Sequence, residues 1–309
     1  MIGRALITSF AVVLTACTPP SRQTPRAPAP SALLPQAILP ADLDAVIWFD
    51  LTRLRDLWTT QPDLQITRVL TAYGVLDANP GEPDADYWRS VVSHSERLWV
   101  ACRPSSEGCR DSVVLARGSF AQFEPRKLLG RLQPAVDLGA GWFRYDRGGE
   151  LRRAQPARIY LAAPDQCVTA PLAELDAVER NLELGRGEPA LSVEERGLLS
   201  MTLRGPAIAA LVASRSPSAA RLLSDVDIIR AWLALNTQEL ELNVVAAFGE
   251  PERAARSGRV LSMLLQSEEL WKSLGASFAP AVEVVDRDVT IRLRFRAQAQ
   301  PAHSSGLGN

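Results

Sequence analysis

The sequence predicts an α+β fold: antiparallel sheets with helices packed on one face. Three observations predict it. Two stretches alternate apolar and polar residues with the period of a half-buried strand, "LDAVIWFDL" at 43–51 and "ELELNVVAAF" at 239–248. Strand signals also come in pairs around turn-forming residues, "RLWVA" and "DSVVLA" about "RPSSEG", and again in "AVEVVDRDVTIRLRFRA". Between these lie stretches of helical period. At 251–274 the residues Val260, Met263, Leu264, Trp271 and Leu274 fall on one arc of about 100°.

Taken in order, 43–51 is a strand with Leu43, Ala45, Ile47, Phe49 and Leu51 on one face and Asp44, Trp48 and Asp50 on the other. Helices are expected at 52–74 and 84–94, separated by the turn "NPGEP". Hairpin strands follow at 97–103 and 111–118. The next helix opens at Glu124-Pro125, where a first-turn proline costs no hydrogen bond. Strands at 141–146, 158–162 and 166–169 and a helix from Pro171 complete a first half, 38–185. The second half, 186–298, begins near "SVEE" (Ser192–Glu195), a capping-box pattern. A strand in "LLSMTLRG" follows. Helices are expected at 205–223 and at 226–236, the latter capped by Asp225. The strand 239–248, the helix 251–274 and a hairpin turning at Asp286-Arg287-Asp288 end this half. "VVLARGSFAQFEPRKLLGRL" and "NVVAAFGEPERAARSGRVL" share the order apolar strand, Phe, Glu-Pro, Arg-bearing helix, which fits either two related halves or the chance reuse of a good helix start.

The amino terminus follows another logic. Residues 1–16, "MIGRALITSFAVVLTA", have one early cation, Arg4, a short apolar run and small residues before Cys17. That is the pattern of a secretory signal peptide, and the run is too short to span a bilayer. Leu14-Thr15-Ala16-Cys17 resembles the lipobox of bacterial lipoproteins. The resemblance implies cleavage before Cys17, a diacylglyceryl thioether on its thiol and acylation of the new amino terminus. Each buried methylene contributes about 0.8 kcal/mol, so two or three chains anchor stably where one does not. Thr18 at the next position favours, by analogy with enteric bacteria, the outer membrane. Residues 17–37 form a tether holding six prolines (Pro19, Pro20, Pro25, Pro28, Pro30 and Pro35). In polyproline geometry it reaches up to roughly 60 Å. Residues 299–309 read as a flexible tail.

Composition narrows the function classes. Hydrophobic residues are 47 % and charged residues 22 % of the chain, which suits a globular body. The formal net charge of −1 gives no pull toward nucleic acid. Cys102 and Cys109 flank the predicted hairpin loop, and in an exported protein they are disulfide candidates. Such a bridge contributes roughly 2.5 kcal/mol in the chain-entropy picture. Two free thiols are the alternative. Cys167 reads as a buried, inert thiol.

Recognisable chemistry is sparse. There is no Gly-x-Ser-x-Gly, no His-x-x-x-His, no Cys-x-x-Cys, no calcium loop and no phosphate loop. The two histidines are His94 and His303. Paired acids at Asp42/Asp44, Asp84/Asp86, Asp225/Asp227 and Asp286/Asp288 all sit where turns or caps are expected. No catalytic residue, metal ligand or cofactor site is assigned. One stripe stands out. In "VTIRLRFR", Val289, Ile291, Leu293 and Phe295 face inward and Arg292, Arg294 and Arg296 share the other face. Such a strip suits an anionic partner such as a phosphorylated glycolipid. The plainer alternative is cross-strand pairing with Glu239 and Glu241. Trp58, Trp99, Trp142, Trp232 and Trp271 are expected in the core, and Trp48 either under a helix or at a partner surface.

The body, about 40–297, resembles a loose group of bacterial envelope proteins of unknown function, through the order of its "VVLARGSF", "EPRKLLGRL", "WFRYDRGG" and "LAELDAVERNL" segments. That resemblance implies no activity. The expectation is a lipid-anchored envelope protein, held to the membrane through Cys17, with a non-catalytic binding or scaffolding role toward another envelope protein or an anionic glycolipid. The alternatives are a carrier of an apolar ligand such as a lipid, and an enzyme with an unfamiliar site.

Overall fold

The computed structural model describes residues 35–60, 91–104, 112–120, 136–139, 142–146, 157–162, 165–184, 191–213, 216–236, 239–266 and 278–296. Strands β1 (Ala45–Asp50), β2 (Ser95–Cys102), β3 (Val113–Gly118), β4 (Val136–Gly139), β5 (Trp142–Asp146), β6 (Ala157–Ala162) and β7 (Gln166–Pro171) belong to the first half. Strands β8 (Leu199–Arg204), β9 (Val226–Asn236), β10 (Glu239–Phe248), β11 (Ala281–Val285) and β12 (Asp288–Arg296) belong to the second. They form one sheet in the order β11-β12-β10-β9-β8-β1-β2-β3-β7-β6-β5-β4. Every neighbouring pair is antiparallel. The α+β class is therefore correct, with one continuous sheet in place of several.

The two halves repeat one topology. β1 and β8 pair at the middle of the sheet, with Ile47 opposite Met201. Each has six residues and runs directly into a helix: α1 (Leu51–Thr60) after β1, α3 (Gly205–Val212) after β8. Outward from this centre the order is β1-β2-β3-β7-β6 on one side and β8-β9-β10-β12-β11 on the other. The hairpin β4–β5 is an addition at the first edge. Matching β1 to β8 position for position pairs Trp48 with Thr202, and the ladders then carry the match outward. Trp99 corresponds to Arg230, Leu115 to Val245 and Val168 to Thr290.

Alternation along β1 sends Ala45 and Val46 to opposite faces of the sheet. Ala45 belongs to a cluster with Leu203 of β8 and Ile208 and Val212 of α3, joined by Ala219, Ala220 and Leu223 of α4 (Pro217–Ser224). Helix α5 (Pro251–Leu265) covers the outer strands of this same face, where Ala254 meets Phe248 and Val289. Val46 and Trp48 lie on the reverse face. They are covered by Leu175, Val178 and Leu182 of α2 (Leu175–Leu184) and by Ile38, Leu39 and Leu43 of the strap that precedes β1. Three helices thus share one face, as expected, while α2 and the strap close the other face over the first half. β1 is buried on both sides, so it is a central strand and not a half-buried one.

Several local expectations change. Residues 226–236 form β9, not a helix. "VDIIRAWLALN" satisfies either period, and pairing with β8 and β10 on both sides decides it. Asp225 caps the end of α4 instead of opening a helix. The expected helix 205–223 is two: α3 ends and α4 restarts at Pro217, with the Ser216 hydroxyl accepting from the Ala219 N–H at 3.3 Å. Ser192–Glu195 is irregular chain, not a capped helix. The Thr202 hydroxyl donates to the Ser192 carbonyl at 2.9 Å and the Ser200 hydroxyl to the Arg196 carbonyl at 2.6 Å, which lays 191–198 across β8. In α5 the seated stripe is Ala254, Ser257 and Gly258, while Met263 and Leu264 face outward. Gly258 lies so close to Val284 that a Cβ would not fit, so small residues set this helix against the sheet. β4 carries no clear alternation and is an addition to the expected set. The β11–β12 turn forms where expected, with Asp286 at φ 51, a conformation Asp tolerates in tight hairpins.

Candidate functional site

Cys17 and its tether lie outside the described residues, apart from the last turn of the strap. Cys102 ends β2 fully buried, and Cys109 lies outside the described residues. Cys167 on β7 keeps its thiol and is buried. His94 sits beside Ser93, Nδ1 to Oγ 3.1 Å, at the lip of β2. No group of three or more potential metal ligands occurs among the described residues. No helix among them is long and apolar enough to cross a membrane.

Among the described residues no helix lies over the Val46-side face of the second half. From β9 this face presents Arg230 and Trp232, from β10 Glu239, Glu241 and Asn243, and from β12 Arg292 and Arg294. Sequence makes it so along β12 and the first half of β10, where every second residue on this face is polar, while β9 alternates Arg230 with Trp232 and Ala234. Trp232 is half-buried because the Arg196 guanidinium lies 3.3 Å from its ring centroid. That stacking fixes the linker 191–198 against β9. Arg196 also meets Glu194 at 3.2 Å.

The three arginines of the predicted strip lie on β12 beside β10. The register sets Glu239 opposite Arg296 and Glu241 opposite Arg294. On the other flank Arg292 reaches Glu283 of β11 at 3.3 Å, and Arg294 lies 5.0 Å from the Phe278 ring. Asn243, 4 % exposed, sits between Trp232 and Arg292 and donates from Nδ2 to Glu241 Oε1 at 2.8 Å. The surface is a flat mosaic in which cations and anions alternate across strands. Sequence showed the stripe on β12 but not its setting, because Trp232 was assigned to a helix.

A second cluster lies near the entry to β1. Arg103, one residue beyond β2, donates to Glu174 and to Asp42. Glu174 is 3 % exposed and stands in the turn that opens α2. Its hydrogen bond, working against desolvation and helped by Asp42, holds the Arg103 guanidinium above its usual pKa. Arg103 therefore joins strap, sheet and α2.

No family model matches this chain, and no curated protein matches it in sequence. The chain shares its fold with TP0453. Against crystal form I of TP0453 the TM-score is 0.51 at 12 % identity, covering 86 % of this chain and 94 % of that one. Crystal form III gives 0.52 at 12 % identity, covering 86 % and 95 %. Crystal form IV gives 0.53 at 12 % identity, covering 87 % and 95 %. At such identity the likeness concerns architecture, and it extends over nearly the whole of both chains.

Proposed function

We propose that this chain is a lipid-anchored protein of a bacterial envelope, held at the outer membrane through Cys17, whose folded body binds another envelope protein without catalysis. The anchor rests on Leu14-Thr15-Ala16-Cys17 and the proline-rich tether behind it. The binding role rests on one observation. The sheet face that is packed under α2 and the strap in the first half has no described helix over it in the second and carries charged side chains there. Its charges favour a protein partner over a polyanionic glycolipid, since Arg292 already has Glu283 and Arg294 stands across from Glu241. A mosaic of both signs complements another mosaic and gives a phosphate-rich surface no net attraction. A disulfide between Cys102 and Cys109 belongs to the same proposal, as an oxidising compartment would supply it.

Two measurements test it. Mass spectrometry of the native product should find an acylated Cys17 at the amino terminus; a retained 1–16 segment would remove the anchor. A photo-crosslinking residue at position 245, which lies on the same face between Arg230 and Thr290, should yield a discrete protein adduct in cells. A glycolipid adduct alone, or none, would overturn the partner assignment.

A further inference from the structure

Trp48 and Trp99 stand directly opposite each other on β1 and β2. Both are buried, at 3 % and 0 % exposure. Among the described residues neither indole Nε1–H has an acceptor. Buried indoles ordinarily find one, and two unanswered donors on paired residues of one cluster call for an explanation. Their surroundings are Val46, Leu115 and Val168 of the sheet, Ile38 and Leu39 of the strap and Val178 of α2. All of these are apolar, and Ser200, opposite Trp48 on β8, is neutral and has its hydroxyl on the Arg196 carbonyl, so a bound anion would lose its hydration without gaining a counter-charge.

We propose that a neutral oxygen acceptor enters the layer beneath the strap and serves the Trp48 and Trp99 indoles. Two sources share that chemistry: an internal water, and the carbonyl of an acyl chain admitted when the strap lifts. The strap covers this layer. Ile38, Leu39 and Leu43 seat it among the core side chains, while Asn181 Nδ2 donates to the carbonyls of Ile38 at 3.1 Å and Leu39 at 3.3 Å and Arg103 donates to Asp42. Those two carbonyls are held by a side chain and not by a strand ladder, so the strap opens at a lower free energy than the strands it lies on.

The experiment is nuclear magnetic resonance of the full chain labelled with ¹⁵N at its tryptophan indoles. Single Trp48→Phe and Trp99→Phe variants assign the two signals. Contacts to the Leu115 and Val168 methyl groups assign them independently if either variant fails to fold. Both indole protons are expected at hydrogen-bonded positions. Cross-peaks to water would identify water as the acceptor. Displacement of both signals on adding methyl laurate would identify an acyl carbonyl. Signals at free-indole positions, with neither a water cross-peak nor a response to the ester, overturn the site. Asn181→Ala should speed solvent exchange of both indoles roughly tenfold relative to the β2 backbone. Unchanged exchange overturns the strap as the cover.

Discussion

The same sheet face is built twice and used in two ways. In the first half Trp48, Trp99, Leu115 and Val168 line it, and α2 with the strap buries all four. In the second half the corresponding positions hold Thr202, Arg230, Val245 and Thr290. Thr202 is buried under the linker 191–198, and the other three are half-exposed. One topology thus supports a core layer on one side of the β1–β8 seam and a polar surface on the other. Burial of an aromatic pair stabilises by several kcal/mol where covered. The same residues on an uncovered face would be a liability. Residue choice at four matched positions, not strand order, sets which half is core and which is surface.

The largest expected effect tests that contrast. Leu115→Ala should lose about 2–5 kcal/mol in chemical denaturation of the full chain, since it opens a cavity in a fully buried layer. Val245→Ala, at the matched position, should lose under about 1 kcal/mol. Equal losses would mean that the second half is also covered, and the contrast would fail.

Next in size is Arg103→Met. It leaves the buried Glu174 carboxylate without its cation. A loss of roughly 2 kcal/mol is expected, below the usual range for fully buried pairs because Arg103 is itself 39 % exposed. Adding Glu174→Gln to the Met variant should restore part of it. The sign of the pH dependence is set by the Arg103 shift. Its pKa is raised on folding, so its stabilisation is complete at all pH below the ordinary arginine value and is lost only as pH rises through the folded value. Across the neutral range the difference between wild type and the variant should be flat as far as Arg103 titration is concerned.

Much of this was legible in the sequence, and the misreadings have physical causes. β1, the β2–β3 hairpin, β10 and the β11–β12 hairpin were readable because period and turn chemistry agree at each. β9 was not, because "VDIIRAWLALN" has an apolar set compatible with both periods and only its two neighbours choose. α5 was placed correctly but faced wrongly, because an arc chosen by hydrophobicity overlooks a seam of Ala254, Ser257 and Gly258. Such a seam is selected for closeness, not for apolar area. Trp48 was expected under a helix or at a partner surface, and it lies in the core under α2. Nothing local announces that α2, more than a hundred residues later, returns to cover it. The arginine strip was visible, but its balancing acids depend on register between strands distant in sequence.

A smaller effect is expected at the seam between the two regimes. Arg196→Ala removes the stacking on Trp232 and frees one side of the 191–198 linker. About 0.5–1 kcal/mol should be lost, with faster amide exchange in β9 than in β2. Leu191 and Val193 of the linker already belong to the core layer, so an effect as large as that of Leu115→Ala would add Arg196 and Trp232 to it and move the boundary between the halves outward.

The smallest stability effect falls on the open face and carries the most functional information. Arg292→Gln and Arg294→Gln should each change stability by no more than about 0.5 kcal/mol, because exposed ion pairs contribute little net free energy. Arg292 is 52 % and its partner Glu283 58 % exposed, so water already screens them. The same two substitutions leave Glu241 and Glu283 unbalanced and turn a mosaic into an acidic patch. Crosslinking from that face to its protein partner should therefore weaken while the fold is intact. A strip meant for polyanions would behave differently: Glu283→Gln would strengthen binding to anionic vesicles, and a mosaic matched to a protein would not. Comparing these charge neutralisations in one assay separates a mosaic shaped by a protein partner from a strip shaped for polyanions.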